Sequence, residues 1–161
     1  TTIFIQLDNA KPHCPADDPD IVAAGTADGW NIHLLFQPPK SPDFNVLDLG
    51  FFSSIQSLQY KEIIRNANEL VEAVVKAFWQ QSKQKLENTF LTLQKVMECS
   101  IKDVGGNQYK LPHVGKDKMR GQGLLPDNFA CDPETYKRGI ETLGMMENDN
   151  YFFQKIFQYK I

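Results

Sequence analysis

This chain has little cysteine, no long apolar run and no excess of positive charge. Its three cysteines, Cys14, Cys99 and Cys131, are odd in number, far apart and in no metal-ligand spacing. That argues against a disulfide-stapled scaffold and reads as reduced thiols in a cytosolic or nuclear protein. No stretch approaches the ~20 apolar residues that a membrane helix needs, so no membrane partner is expected. A formal net charge of −3 is not that of a free-standing DNA binder, whose phosphate affinity comes mostly from Lys and Arg.

What is present is a globular composition. A length of 161 residues favours one domain, and 42% hydrophobic residues suffice for a core. Charge is distributed unevenly. Residues 1–60 hold seven Asp and two Lys, whereas 61–161 hold thirteen acids and fifteen bases. An acid excess in the first part suits bound cations. The most basic stretch is 105–125, with Lys110, Lys116, Lys118 and Arg120 against Asp117. A solvated loop accounts for it on general grounds, and a phosphate-contacting segment is the functional alternative.

Periodicity and punctuation divide the chain into elements. An apolar run at 2–7 reads as a buried strand and 30–36 as a second, stopped by Pro38-Pro39. A short helix is expected after Asp17-Asp18-Pro19, followed by a turn at Asp28-Gly29. Ser41 as N-cap and Pro42 at the first position predict a helix over 42–60, with Phe44, Leu47, Phe51, Ile55 and Leu58 on its packed face. Asn66 with Glu69 suggests a capping box, ahead of an apolar stripe of Leu70, Val71, Val74, Val75, Phe78 and Trp79 and a Glu72–Lys76 pair. Leu86, Phe90, Leu93 and Met97 repeat the stripe, and the two helices are expected to bury these faces against each other. Gly105-Gly106-Asn107 closes the helical region, and an extended Gly/Pro/Lys-rich segment follows. Asp132-Pro133 opens a last short helix ended by Gly144, and 145–161 is an unassigned aromatic tail. Trp30 and Trp79 read as core residues.

Two aspartates stand in distinctive settings. Asp8 closes the first strand in Asp8-Asn9-Ala10-Lys11-Pro12-His13. Asp48 ends the run Pro38-Pro39-Lys40-Ser41-Pro42-Asp43-Phe44-Asn45-Val46-Leu47-Asp48, and thirty-nine residues separate the two acids. A carboxylate at a strand end and another on a nearby helix suit divalent-metal binding. Each has a plainer alternative, Asp8 as a turn cap and Asp48 as a solvated surface acid. Asp43 reads as a first-turn acid favoured by the helix dipole.

These segments resemble the second and third acidic motifs of mariner-type DNA transposases, in the Asp-Asp-Asp branch with a thirty-nine-residue spacer. Leu49-Gly50-Phe51-Phe52, Leu111-Pro112-His113 and Gly123-Leu124-Leu125-Pro126 continue the likeness, which runs to about Tyr136. Leu7 replaces a polar residue frequent before the second Asp, and Lys40 stands where Asn is usual. The resemblance implies an RNase H-like fold and the C-terminal part of its catalytic domain over 1–60, then a helical extension at 61–104 and a Gly/Pro/Lys-rich segment with a short helix at 105–144. Two strands are fewer than a full sheet of that fold requires, so an exposed apolar strand edge is expected.

The resemblance also implies a function. Asp8 and Asp48 would join a first Asp, upstream of everything present here, in holding two Mg²⁺ or Mn²⁺ ions for phosphodiester hydrolysis and strand transfer. The implied partner is DNA, both transposon ends and target, with a homodimer and a nuclear location also expected. His13, Lys40, Lys116, Lys118 and Arg120 are candidate phosphate contacts. With one acidic ligand lacking, the chain is expected to be inactive alone. The alternative is a non-enzymatic, transposase-derived module that binds protein or DNA.

Overall fold

The computed structural model describes residues 1–145 apart from Asn9 and Pro12, so the aromatic segment 146–161 lies outside the described residues. The architecture is mixed α/β, with a two-stranded parallel sheet and six α-helices among those residues. Strand β1 (Ile3–Leu7) pairs with β2 (Ile32–Phe36) in register from Ile3↔Ile32 to Leu7↔Phe36. Parallel strands need a crossover, and helix α1 (Pro19–Thr26) supplies it. Asp18 caps α1 by accepting from the Asp20 and Ile21 N–H groups at 3.0 and 3.4 Å, and Pro19 occupies the first turn, where its missing N–H costs nothing. A Cβ on Gly25 would sit 2.5 Å from the Ile32 carbonyl oxygen, so glycine is what lets α1 lie directly on β2.

The expected burial of strand 2–7 does not hold. Ile3 and Ile5 are 37% and 46% exposed, because β2 is the one strand paired with β1 among the described residues. A two-stranded ribbon is marginal in water. Amide exchange at Ile5–Leu7 should therefore be orders of magnitude faster than at Val96–Ser100 in hydrogen-exchange mass spectrometry. Equal protection of the two segments would show that β1 is held by more than β2.

The helix expected over 42–60 is interrupted. Pro42–Phe44 is a 3₁₀ turn, Asn45 is extended at φ −94° and ψ 112°, Leu47–Phe51 is a π-helical turn, and α2 follows at Phe52–Gln59. Ser41 does not cap it; its Oγ donates to the Pro39 carbonyl instead. Asn45 takes over, its Oδ1 accepting from the Leu47 N–H at 3.0 Å. A short polar side chain three residues into the segment thus outcompetes the serine for the helix start.

Helix α3 (Ala67–Trp79) starts as expected: Asn66 accepts from the Glu69 N–H at 3.0 Å, and the Glu69 carboxylate reaches back to the Arg65 N–H at 2.8 Å. Its packing differs from expectation. The buried residues are Ala73 and Ala77, and the helix lies against α2. The large apolar residues flank that seam: Leu70, Val74 and Phe78 are 40–46% exposed, and Val71, Val75 and Trp79 more so. Small side chains allow the close approach; of the bulky stripe, Phe78 meets the Phe51 ring edge-on at 5.9 Å, and much of the rest stays accessible. Trp30 and Trp79 are likewise surface residues, 59% and 78% exposed, and not core. The Glu72–Lys76 pair gives way to Lys76–Glu62 at 2.6 Å.

The spine of the molecule is α4 (Lys83–Lys102), capped by Ser82. It packs against α6 (Pro133–Met145), the Leu47–Phe51 turn and the Pro42–Phe44 turn, and it buries Leu91 and Val96. A Cβ on Gly139 would already be 3.0 Å from Ile101, which brings α6 close to α4. Asp132 opens α6 as expected, accepting from the Thr135 N–H at 2.9 Å and from its hydroxyl at 2.8 Å. The basic segment after α4 is not wholly extended, since it contains α5 (Lys116–Gly121) and crosses the α4 surface.

Candidate functional site

Because the strands are parallel and end in register, the residues after Leu7 and after Phe36 leave the sheet at the same end. Asp8 follows directly. Its Oδ1 accepts from the Ala10 N–H at 3.0 Å and lies 2.7 Å from His13 Nε2, so the turn-capping role is present. Both side chains are accessible, His13 39% and Asp8 46% exposed. The free edge of the carboxylate, Oδ2, has no hydrogen-bond partner among the described residues.

Asp48 arrives from the other strand. The chain leaves β2 through Gln37, whose N–H donates to the Leu7 carbonyl at 2.9 Å. Gln6 then bridges the two segments: its amide donates to Gln37 Oε1 at 3.1 Å and to the Phe44 carbonyl at 2.8 Å. Buried Phe44 anchors the loop, four residues ahead of Asp48. Asp48 sits in the first turn of the π-helical segment, exposed, with its Oδ2 accepting from Asn45 Nδ2 at 2.9 Å. Gln6 and Gln37 are the residues that sequence reasoning missed. Their one signal is a polar side chain at the end of each apolar strand.

The candidate phosphate contacts fall into two groups. Lys40 and Lys118 are exposed, and Lys40 has a left-handed backbone at φ 58°. Lys116 and Arg120 are turned inward. Lys116 donates to the Asn88 carbonyl at 2.8 Å and to the Thr92 hydroxyl, and desolvation holds its ammonium below the usual lysine range. Arg120 pairs with Glu87 at 3.2 Å and Asp117 at 3.4 Å and also donates to Asn88. Asp43 accepts from the Tyr109 hydroxyl at 2.5 Å, and burial together with that bond pushes the phenol well above its ordinary value. This contact ties the segment after α4 to the loop that leads to Asp48. His33 is placed elsewhere, with Asn31 at 2.7 Å and stacked on Phe4.

Two accessible carboxylates, each with one oxygen not engaged by the described residues, are hard donors of the kind that suits Mg²⁺ or Mn²⁺. They are incomplete as a set, since no cluster of three or more His, Cys, Asp or Glu able to hold a metal ion occurs among the described residues. Burial first and Glu98 next push the Cys99 and Cys131 thiols above their ordinary value, which disfavours the thiolate. No family model, curated protein or solved structure matches this chain.

Proposed function

We propose that the chain is part of the catalytic domain of a cut-and-paste DNA transposase of the mariner type, RNase H-like in fold, with Asp8 and Asp48 as two of its metal ligands. The observation that carries this reading is the Gln6 bridge to Gln37 and Phe44, which fastens the Asp8 strand to the loop before Asp48 at one end of the sheet. Mg²⁺ or Mn²⁺ held there would stabilise the charge of a phosphodiester under attack and lower the pKa of a water. Asp8 and Asp48 hold, His13 restrains the Asp8 carboxylate, and Gln6 fixes the distance between the two segments. DNA is the substrate, the nucleus the place of action and a homodimer the assembly under this reading. Two carboxylates leave the metal pair short of a ligand, so the chain alone should not cleave DNA.

A second reading, a non-enzymatic module that binds a protein or DNA, is favoured by one feature. The α3 residues Leu70, Val71, Val74, Val75 and Trp79 are 40–78% exposed along one helix, an apolar surface that a partner could cover.

Paramagnetic broadening separates the two. Substoichiometric Mn²⁺ should broaden the amide signals of residues 7–8 and 46–49 together, and Asp8→Asn should weaken both. Broadening at one segment only, or no change on Asp8→Asn, would sink the shared site and leave the binding module.

A further inference from the structure

Six of the large apolar residues left accessible among the described residues lie on one helix, α3: Leu70, Val71, Val74, Val75, Phe78 and Trp79, 40–78% exposed. At 3.6 residues per turn they spread over about 180° of its circumference, while Ala73 and Ala77 hold the buried side. Scaled by those exposures they leave on the order of 600 Å² open, as much as the largest patch on a typical monomer. Rings carry the patch onto the start of α2. The Phe78 ring lies 5.2 Å from Trp79 and 5.9 Å from Phe51, and Phe51 lies 6.3 Å from Phe52, itself 50% exposed. The polar edge of α3 carries an acid to spare. Lys76 is held by Glu62 at 2.6 Å and Glu69 accepts from the Arg65 N–H, whereas Glu72 is exposed, one turn before Val75, and pairs with no Lys or Arg among the described residues.

We propose that residues 151–161 of the same chain cover this face, with the lysines of that segment beside Glu72. The segment lies outside the described residues, and its sequence supplies the match. Seven of its eleven residues are apolar or aromatic, with Phe152, Phe153, Ile156 and Phe157 at its centre, so it needs a cover as much as α3 does. Its charges are Lys155 and Lys160, with no Asp or Glu, which complements an edge where Glu72 has no cation. Length permits the contact. The segment follows the end of α6 at Met145, and residues 146–161 reach about 50 Å when extended, against about 40 Å across a compact domain of this size. Tethering decides between this occupant and a second copy. A tether of this length presents the segment at an effective concentration in the millimolar range, far above that of a second copy at about 10 µM. The inference rests on neither reading of function. It adds that a protein partner of α3 would have to displace the chain's own segment.

The test is photo-crosslinking in the 161-residue chain, with Phe157 replaced by p-benzoylphenylalanine and the crosslinked peptides mapped by mass spectrometry. Crosslinks should fall on residues 70–79 and run in the monomer band. Val71→Asp/Val75→Asp should lower their yield at least about fivefold and speed trypsin cleavage after Lys155 by a similar factor, since cleavage follows the population of the open form. Circular dichroism and a melting curve check that this variant keeps its fold. Glu72→Lys leaves the apolar face intact and should lower the yield as well, more at low salt than at high. Crosslinks that fall mainly on the β1 edge at residues 3–7, or that run in a dimer band, would each overturn the proposal. So would cleavage after Lys155 as fast in the parent as in the double variant. Asp8→Asn/Asp48→Asn should leave the crosslinks on α3; their loss there would place the segment at the acidic site and not on the helix.

Discussion

Leu91→Ala should destabilise the fold by about 2–5 kcal/mol, measured as the shift in a urea unfolding curve at constant slope. Leu91 is 3% exposed at the middle of α4, the helix on which α6 and the segment around Asp48 converge. The buried hydrophobic set is thin. Among the described residues Phe44, Ala73, Ala77, Leu91 and Val96 make it up, and two of the five are alanines with little area to contribute. Few large side chains can therefore move in to fill the space, and incomplete collapse is what pushes a truncation toward the upper end of its range. Leu70→Ala on α3 provides the comparison. Leu70 is 42% exposed, so its loss should cost under about 1 kcal/mol. A Leu91→Ala variant as stable as Leu70→Ala would mean that α4 is not the spine of the core.

Local chemistry was legible in the sequence, and partner choice was not. The helix starts at Asn66 and Asp132 follow from side chains acting on N–H groups three residues away, and the fold contains both. The start at Ser41 failed on the same physics, because Asn45 offers a better-placed acceptor and only the three-dimensional path of the loop decides between them. Periodicity gave α3 as amphipathic but could not say which face meets a neighbour. Burial of Ala73 and Ala77 in place of the large apolar residues depends on where the neighbouring elements lie, and nothing in the period encodes that. Parallel pairing of the two strands was not stated by either strand pattern.

The candidate site divides the same way. Asp8 and Asp48 could be picked from their motifs, and their two segments do leave the sheet at one end. The device joining them, a Gln6 amide reaching Phe44 across 38 positions of sequence, depends on a non-local contact that no local pattern announces. The basic segment after α4 was half visible. Lys116 and Lys118 stood out in the basic stretch, but the partners of Lys116, Asn88 and Thr92, lie 28 and 24 positions away and are brought in by packing. Basic composition also overcounted. Arg120 and Lys116 both belong to the stretch, yet one spends its charge on Glu87 and the other donates to the Asn88 carbonyl and the Thr92 hydroxyl.

Glu98→Gln should cost about 1–3 kcal/mol near neutral pH, and the difference from the parent should disappear in acid. Glu98 is 9% exposed, with Lys95 at 2.6 Å and Lys102 at 2.7 Å. Burial alone pulls the carboxyl up, but the hydrogen bonds from Lys102 and Lys95, with their charges, outweigh it and hold the group below its ordinary value of 4.5. A depressed carboxyl stabilises the folded state above its unfolded value and loses that contribution as pH falls through the folded one. The parent should thus hold a constant advantage over Glu98→Gln above about pH 5, shrinking below 4.5. The cost stays below that of breaking a fully buried pair, because Lys102 is 52% exposed and can rehydrate once its partner is gone. Lys95 is less free, being 21% exposed and held 5.1 Å from the Phe129 ring, so most of the penalty should fall on it. Unfolding curves of both proteins between pH 3 and 8 decide the matter. A gap that widens toward low pH would mean that the folded carboxyl is raised, and that desolvation and not the lysines sets its charge.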